Sequence, residues 1–213
     1  MADKPFSPAC ERNQAPIEHV LKSLIRTGGC VLEVGSGTGQ HGVYIAAQRP
    51  DLIWQTSDQG ERLAGLRQWV NEAGLPNLPA PLELDVTDCP ENVGKFNTVF
   101  AANVVHYIPR LMVSRLVEVM SKSACSDGQL IFYGPFNAQG FTSSGNAALD
   151  IWLKRDVAPD AGIWEQDDFL NLLRDFGWSL QAHHPMPSNN RMLGFRRVDV
   201  FEEETHSHLL GLT

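Results

Sequence analysis

Between Cys30 and Gly42 the chain reads CVLEVGSGTGQHG, a short apolar strand that runs through Gly35, Gly37 and Gly39 into the start of a helix. No other segment limits the fold as strongly. Glycine has no Cβ and accepts positive φ, so a ligand can approach the backbone of such a loop closely. The strand and helix on either side set the rhythm of the next hundred residues. DLIWQTSD reads as a second strand, ERLAGLRQWVNEAG as a helix closed by Gly74, PLELDVTD as a third strand and FNTVFAAN as a fourth. PRLMVSRLVEVMSKSA is the next helix, with Pro109 in its first turn, and GQLIFYG is the fifth strand. Strands alternating with helices at this spacing imply right-handed βαβ units and a mostly parallel sheet with helices on both faces.

At both ends the rhythm changes. Ile17, Val20, Leu21, Leu24 and Ile25 share one helix face, which Gly28 and Gly29 end, and a polar, Pro-containing arm precedes them over residues 1–13. From Pro135 to Trp164 the alternation breaks, and Phe136, Phe141, Trp152 and Trp164 mark an inserted cap with a helix. Phe169, Leu172, Leu173 and Phe176 form another amphipathic helix. GWSLQAHH and RMLGFRRV, joined by PMPSNN, then read as a terminal hairpin. The expectation is an α/β domain over residues 1–198 with a seven-stranded, mostly parallel sheet. Residues 199–213 form an acidic, aperiodic tail.

With 213 residues the chain has room for one such domain. It carries 17 basic against 25 acidic residues and no basic run, which argues against a broad nucleic-acid surface. No apolar stretch is long enough to span a membrane. The four cysteines, Cys10, Cys30, Cys89 and Cys125, lack metal-ligand spacing and read as free thiols, consistent with a cytoplasmic address. His183 and His184 are strand neighbours that point to opposite faces. No metal site is expected.

Two cofactors compete for the glycine loop. Gly37, Gly39 and Gly42 spell GxGxxG, and Asp58 lies 21 residues beyond Gly37, as in a dinucleotide site. The phase is poor, because the strand stops at Val34 and the loop opens at Gly35. S-adenosylmethionine suits the residues better. Glu33, with Gly35, Ser36, Gly37 and Gly39, fits its amino-acid end; Asp58, ending the second strand, fits the ribose hydroxyls. Asp85, ending the third, fits the adenine amine, and Val86 offers an apolar contact. Each aspartate taken singly also reads as a turn or cap acid. A carboxylate inside an apolar strand, as Glu33 is, costs several kcal/mol unless partnered.

VLEVGSGTGQ, with SD at 57–58, LD at 84–85 and the terminal hairpin, resembles the class I S-adenosylmethionine-dependent methyltransferases. ERNQAPI, GSGTGQH, WQTSD, YGPF and MPSNN are similar to the methyltransferase-like family known as domain of unknown function 938. The resemblance implies the class I, Rossmann-like fold and use of S-adenosylmethionine. It also favours Arg12 and Asn13 folding over the cofactor, with Arg12 at its carboxylate, against the plainer reading of Asn13 as a helix N-cap.

AANVVHYIP places Asn103 and His106 on the loop over the cofactor after the fourth strand, with Asn103 a candidate cofactor contact. Methyl transfer is an in-line displacement, so the protein has to align the reactants and, for some nucleophiles, remove a proton. His106, with an ordinary pKa of about 6.5, is the candidate base. Tyr133, leaving the fifth strand, is the second candidate at the reacting centre. His41 lies beside the cofactor, and Asn146, Asp150 and Asn190 are candidates for the acceptor. The expectation is a methyltransferase for a small-molecule acceptor under the cap. A noncatalytic cofactor-binding or partner-binding module with the same fold is the alternative, and a nicotinamide-dependent oxidoreductase the lesser one.

Overall fold

The computed structural model describes residues 4–88 and 93–198; Cys89 and the 199–213 tail lie outside them. Seven strands form one sheet in the order β3-β2-β1-β4-β5-β7-β6. β1 (Cys30–Val34), β2 (Ile53–Asp58), β3 (Leu82–Glu83), β4 (Phe96–Ala102) and β5 (Ala124–Pro135) run parallel. β6 (Trp178–Met186) and β7 (Asn190–Arg197) form an antiparallel hairpin that adds to β5 through β7. The chain works outward from β1 to β3 and then returns to β4. This reversal opens a crevice above the carboxyl ends of β1 and β4, the topological switch point where ligands bind in such sheets.

Two cores hold the helices to the sheet. On one face α1 (Pro8–Leu24), α2 (Gln40–Gln48) and α3 (Gly60–Ala73) bury Ile17, Leu21, Ile45 and Leu66 against Val31, Trp54, Phe100 and Ile131. On the other α4 (Arg110–Ser123) and α6 (Gln166–Asp175) bury Leu116, Met120, Phe169 and Leu173 against Leu32, Val99, Leu130 and Phe132. In the strands facing residues alternate between the two cores, as a period of two requires.

Several boundaries differ from the sequence reading. α1 begins at Pro8, so residues 8–13 are helix and not arm. Ser7 is its N-cap, accepting from Cys10 N at 3.3 Å, and Pro8 fills a first-turn position where no N–H is needed. Asn13 is therefore not the cap. Pro109 stands one place earlier than expected, at the N-cap of α4 with extended ψ. β3 shrinks to two paired residues, Leu82 and Glu83. Pro79 and Pro81 precede it and cannot donate to a ladder, which confines that segment to the sheet edge. The hairpin turns on Ser188 (φ 59°, ψ 35°) and Asn189 (φ 59°), with Asn190 N–H donating to Pro187 O. Two consecutive left-handed residues make a type I′ turn, whose twist matches the strands it joins.

The cap over 135–164 contains α5 (Ser144–Asp156), started by Ser143, whose Oγ accepts from Asn146 N at 3.0 Å. Its four aromatics divide between core and surface. Phe136 and Trp164 turn inward onto Phe169, with ring centroids 5.0 and 6.0 Å away, while Phe141 and Trp152 are exposed. The cap presents aliphatic and amide groups to the crevice instead.

Candidate cofactor and acceptor site

A cavity of about 870 Å³ occupies the switch-point crevice. Its wall comes from the start of α1, the β1–α2 glycine loop, the ends of β2 and β3, the β4–α4 loop, the cap and the hairpin turn. Pockets for small ligands run to roughly 300–1,000 Å³, and this one lies toward the upper end of that range.

Glu33 stands on β1 with only 1% of its surface exposed, and its Oε2 accepts from Trp54 Nε1 at 3.0 Å. Burial pushes its carboxyl up to about 7, with the Trp54 hydrogen bond opposing. Gly42 leaves room for this pair, since a Cβ there would lie 2.9 Å from Glu33 Oε2 and 2.6 Å from Thr56 Cγ2. A buried carboxylate held at the cavity wall with one neutral donor is an acid poised for a cation.

The glycines differ in what they do. Gly37 (φ +58°) faces open space, and its N–H donates to Asp58 Oδ2 at 2.6 Å. Asp58 Oδ1 accepts from Gln59 N–H at 2.9 Å, which fastens the end of β2 to the loop. Burial raises the Asp58 carboxyl, with the Gly37 and Gln59 amides and Arg62 opposing. Gly39 (φ +90°) does not line the cavity: a Cβ there would sit 2.5 Å from Leu66 Cδ1 in the core. Gly39→Ala is therefore expected to lower stability by roughly 1–3 kcal/mol, whereas Gly37→Ala should leave thermal unfolding closer to wild type and weaken ligand binding. Thermal denaturation with and without ligand separates the two; equal losses of stability would contradict this division.

Asp85 Oδ1 accepts from Thr87 N–H and Thr87 Oγ, both at 2.8 Å, the turn role open to such an acid. Its Oδ2 makes no hydrogen bond among the described residues. Val86 and Leu84 line the cavity beside it.

His41, on the first turn of α2, is 4% exposed, and neither ring nitrogen has a hydrogen-bond partner. Burial lowers its pKa to about 4, so the ring is neutral. Buried polar groups ordinarily find a partner, so a neutral imidazole at the cavity wall with both nitrogens unpaired is a candidate recognition group. Arg12 and Asn13 face the same end from α1. The segment before that helix is tied down: Trp69 Nε1 donates to Pro5 O at 2.6 Å, and Ser7 N–H donates to Gln40 Oε1 at 2.6 Å.

At the opposite end Asn103 takes a left-handed conformation (φ 57°), and its N–H donates to Tyr133 O at 2.7 Å. His106 lies three residues on, 3% exposed, with its pKa lowered to about 3 by burial. Its ring passes over bare Gly134 backbone, and its carbonyl accepts from Gly162 N–H at 3.1 Å, which ties the cap to the loop. Asn146 and Asn190 also reach the cavity wall.

Besides Gly39, two more expected residues do not. Tyr133 follows the alternation of β5 into the α1-side core, beside Met192 and Ile131. Its hydroxyl is buried without a hydrogen-bond partner and burial pushes it up to about 12, against the nearby Asn190 amide. Asp150 turns away from the cavity: Oδ1 accepts from Ile163 N–H at 2.8 Å and Oδ2 pairs with Lys154 at 2.5 Å. It holds the return segment of the cap, a contact no local spacing predicts. Conversely Cys10, Thr38, Arg62, Tyr107, Leu149 and Val157 line the cavity, although the sequence reading did not mark them for the site. The pair Ser7–Pro8, a cap followed by a first-turn proline, was the available signal for Cys10.

The fold recurs in solved methyltransferase structures. Mitomycin 7-O-methyltransferase MmcR matches with a TM-score of 0.75 at 15% identity, over 88% of this chain and 54% of that one. An O-methyltransferase family 2 protein from Planctomyces limnophilus, in complex with apigenin, matches with a TM-score of 0.70 at 15% identity, over 82% and 52%. The S-adenosylmethionine-dependent methyltransferase SibL matches with a TM-score of 0.75 at 18% identity, over 89% and 55%. The chain spans about half the length of each. These likenesses establish the class I methyltransferase fold. The sequence itself matches one family model across residues 4–197, and the chain accordingly belongs to the family described as protein of unknown function DUF938.

Proposed function

We propose that this protein binds S-adenosylmethionine at the ends of β1 to β4 and methylates a small molecule held beneath the cap. One observation carries the reading. Glu33, the glycine loop, Asp58 and Asp85, on three successive strand ends, converge on a single cavity. The residues fit the cofactor part by part. Glu33 faces its ammonium, and Arg12 with the unpaired ring of His41 serves its carboxylate. Gly35, Ser36 and Gly37 admit it to the backbone, Asp58 takes the ribose hydroxyls, and Asp85 takes the adenine amine beside Val86.

When bound, the cofactor supplies a methyl group on a positively charged sulfur. The chain's own work is alignment and proton removal. His106 is the base, set on the β4–α4 loop with Asn103 beside it, and Asn146 and Asn190 present amides to the acceptor. The solved relatives named for O-methyl transfer, and the one holding apigenin, support a small-molecule acceptor.

Calorimetric titration with S-adenosylhomocysteine, run beside NAD and NADP, tests this. Micromolar binding of the first alone is expected. Binding of a nicotinamide nucleotide alone would replace the reading with an oxidoreductase, and binding of none would remove the cofactor from the proposal.

A further inference from the structure

The charged groups of the cavity are unevenly distributed. Among the described residues, Arg12, Glu33, Asp58, Arg62 and Asp85 are the ionisable acids and permanent cations in its wall, and all stand on α1 or at the ends of β1, β2 and β3 with α3. The β4–α4 loop, the cap and the hairpin turn contribute none. Their share is made of amides, hydroxyls and apolar groups, among them Tyr107, Asn146, Leu149, Val157 and Asn190.

The cap does carry charge, but none of it lines the cavity. Asp150 is bound to Lys154 and to Ile163 N–H, and Arg155 pairs with Asp156 on the surface. His106 adds no charge either, since burial keeps its ring neutral.

From this distribution we infer that the methyl acceptor is an uncharged molecule, recognised by amide and hydroxyl hydrogen bonds and by aliphatic contact, and that carboxylates, phosphates and ammonium compounds are excluded. The inference rests on the methyltransferase reading, which assigns the charged end to the cofactor. Its physical basis is desolvation. An ion entering this half of the cavity gives up water and meets no opposite charge on the protein. A neutral molecule with the same outline gives up much less and recovers it through Asn146, Asn190 and the apolar wall. Among the described residues the cations in the wall are Arg12 and Arg62; Arg62 lies 3.9 Å from Asp58, and the methyltransferase reading assigns Arg12 to the cofactor's carboxylate.

The test uses the full chain loaded with S-adenosylhomocysteine, after calorimetry has shown that it binds. A fragment library with equal numbers of neutral, anionic and cationic compounds of matched size is screened by ligand-observed NMR. Cavity binders are those lost in Val157→Trp, which fills the cap side from a half-exposed position; Leu149→Trp serves if that variant no longer binds S-adenosylhomocysteine. Neutral cavity binders are expected to outnumber those of either charged class and to bind about tenfold more tightly than charged compounds of matched size, a ratio that corresponds to about 1.4 kcal/mol. Equal or greater numbers of charged binders overturn the inference, as do anionic binders abolished by Arg12→Ala and the absence of cavity binders of any class. Failure of the wild type to bind S-adenosylhomocysteine would instead remove the cofactor reading beneath it.

Discussion

Glu33→Gln is expected to weaken S-adenosylhomocysteine binding by about one to two orders of magnitude, the range of a hydrogen bond to a charged group. Glutamine keeps an oxygen for Trp54 Nε1, 3.0 Å from the native carboxylate, so the fold is spared while the charge is lost. Glu33→Ala removes both and should bind at least as poorly, with an added loss of roughly 1–3 kcal/mol in stability from the stranded indole N–H. A pH signature distinguishes the charge from mere shape. The free protein holds Glu33 at about 7, because burial disfavours its ionised form. An ammonium ligand needs that ionised form, so binding releases a proton while Glu33 is protonated in the free state. Wild-type affinity should therefore rise as pH is taken from about 5.5 through 7 and level off above, while Glu33→Gln stays flat. Calorimetry at several pH values reads this directly. A wild-type affinity independent of pH would show that Glu33 does not face the ammonium.

His106→Ala is expected to lower turnover by about 10²–10⁴, the range of a positioned general base. Binding of S-adenosylhomocysteine should change little, because His106 stands at the acceptor end. Burial holds the free ring's pKa near 3, so His106 is already unprotonated across the neutral range. The wild-type rate should then show no His106 limb around pH 6.5, unlike a solvent-exposed histidine. A buried imidazole resists a proton because it resists net charge, yet on the proposed reading the proton would arrive as the positive charge on sulfur is discharged. The total charge of the cavity is unchanged by the step. Turnover left intact in His106→Ala would assign the proton to another acceptor or to water, and a kcat limb at pH 6.5 that the variant abolishes would contradict the buried, neutral ring.

Most of the fold was legible because it depends on local periodicity. Alternating apolar runs and helical faces marked the five parallel strands, and the turn-forming PMPSNN marked the hairpin. The charged half of the cavity was equally legible, since Glu33, Asp58 and Asp85 are each read along the chain from where a strand ends. The uncharged half was not. Phe136 and Trp164 in the cap are as aromatic as any ligand-stacking residue, but which way they turn depends on α6, whose Phe169 receives them. Tyr133 and Asp150 failed to reach the cavity for related reasons.

The sequence alone determined the element order, the parallel α/β class, the glycine loop and the acids that face it, because each depends on residues within a few positions of one another. The tertiary structure alone decided which groups share the cavity. It brought Cys10 from α1, Val157 from the cap and Asn190 from the hairpin to one wall, and it sent Asp150 to Ile163, 13 residues away. Those placements come from packing between elements distant in the chain, where burial and the demand that buried polar groups find partners, and no local pattern, choose the direction of each side chain.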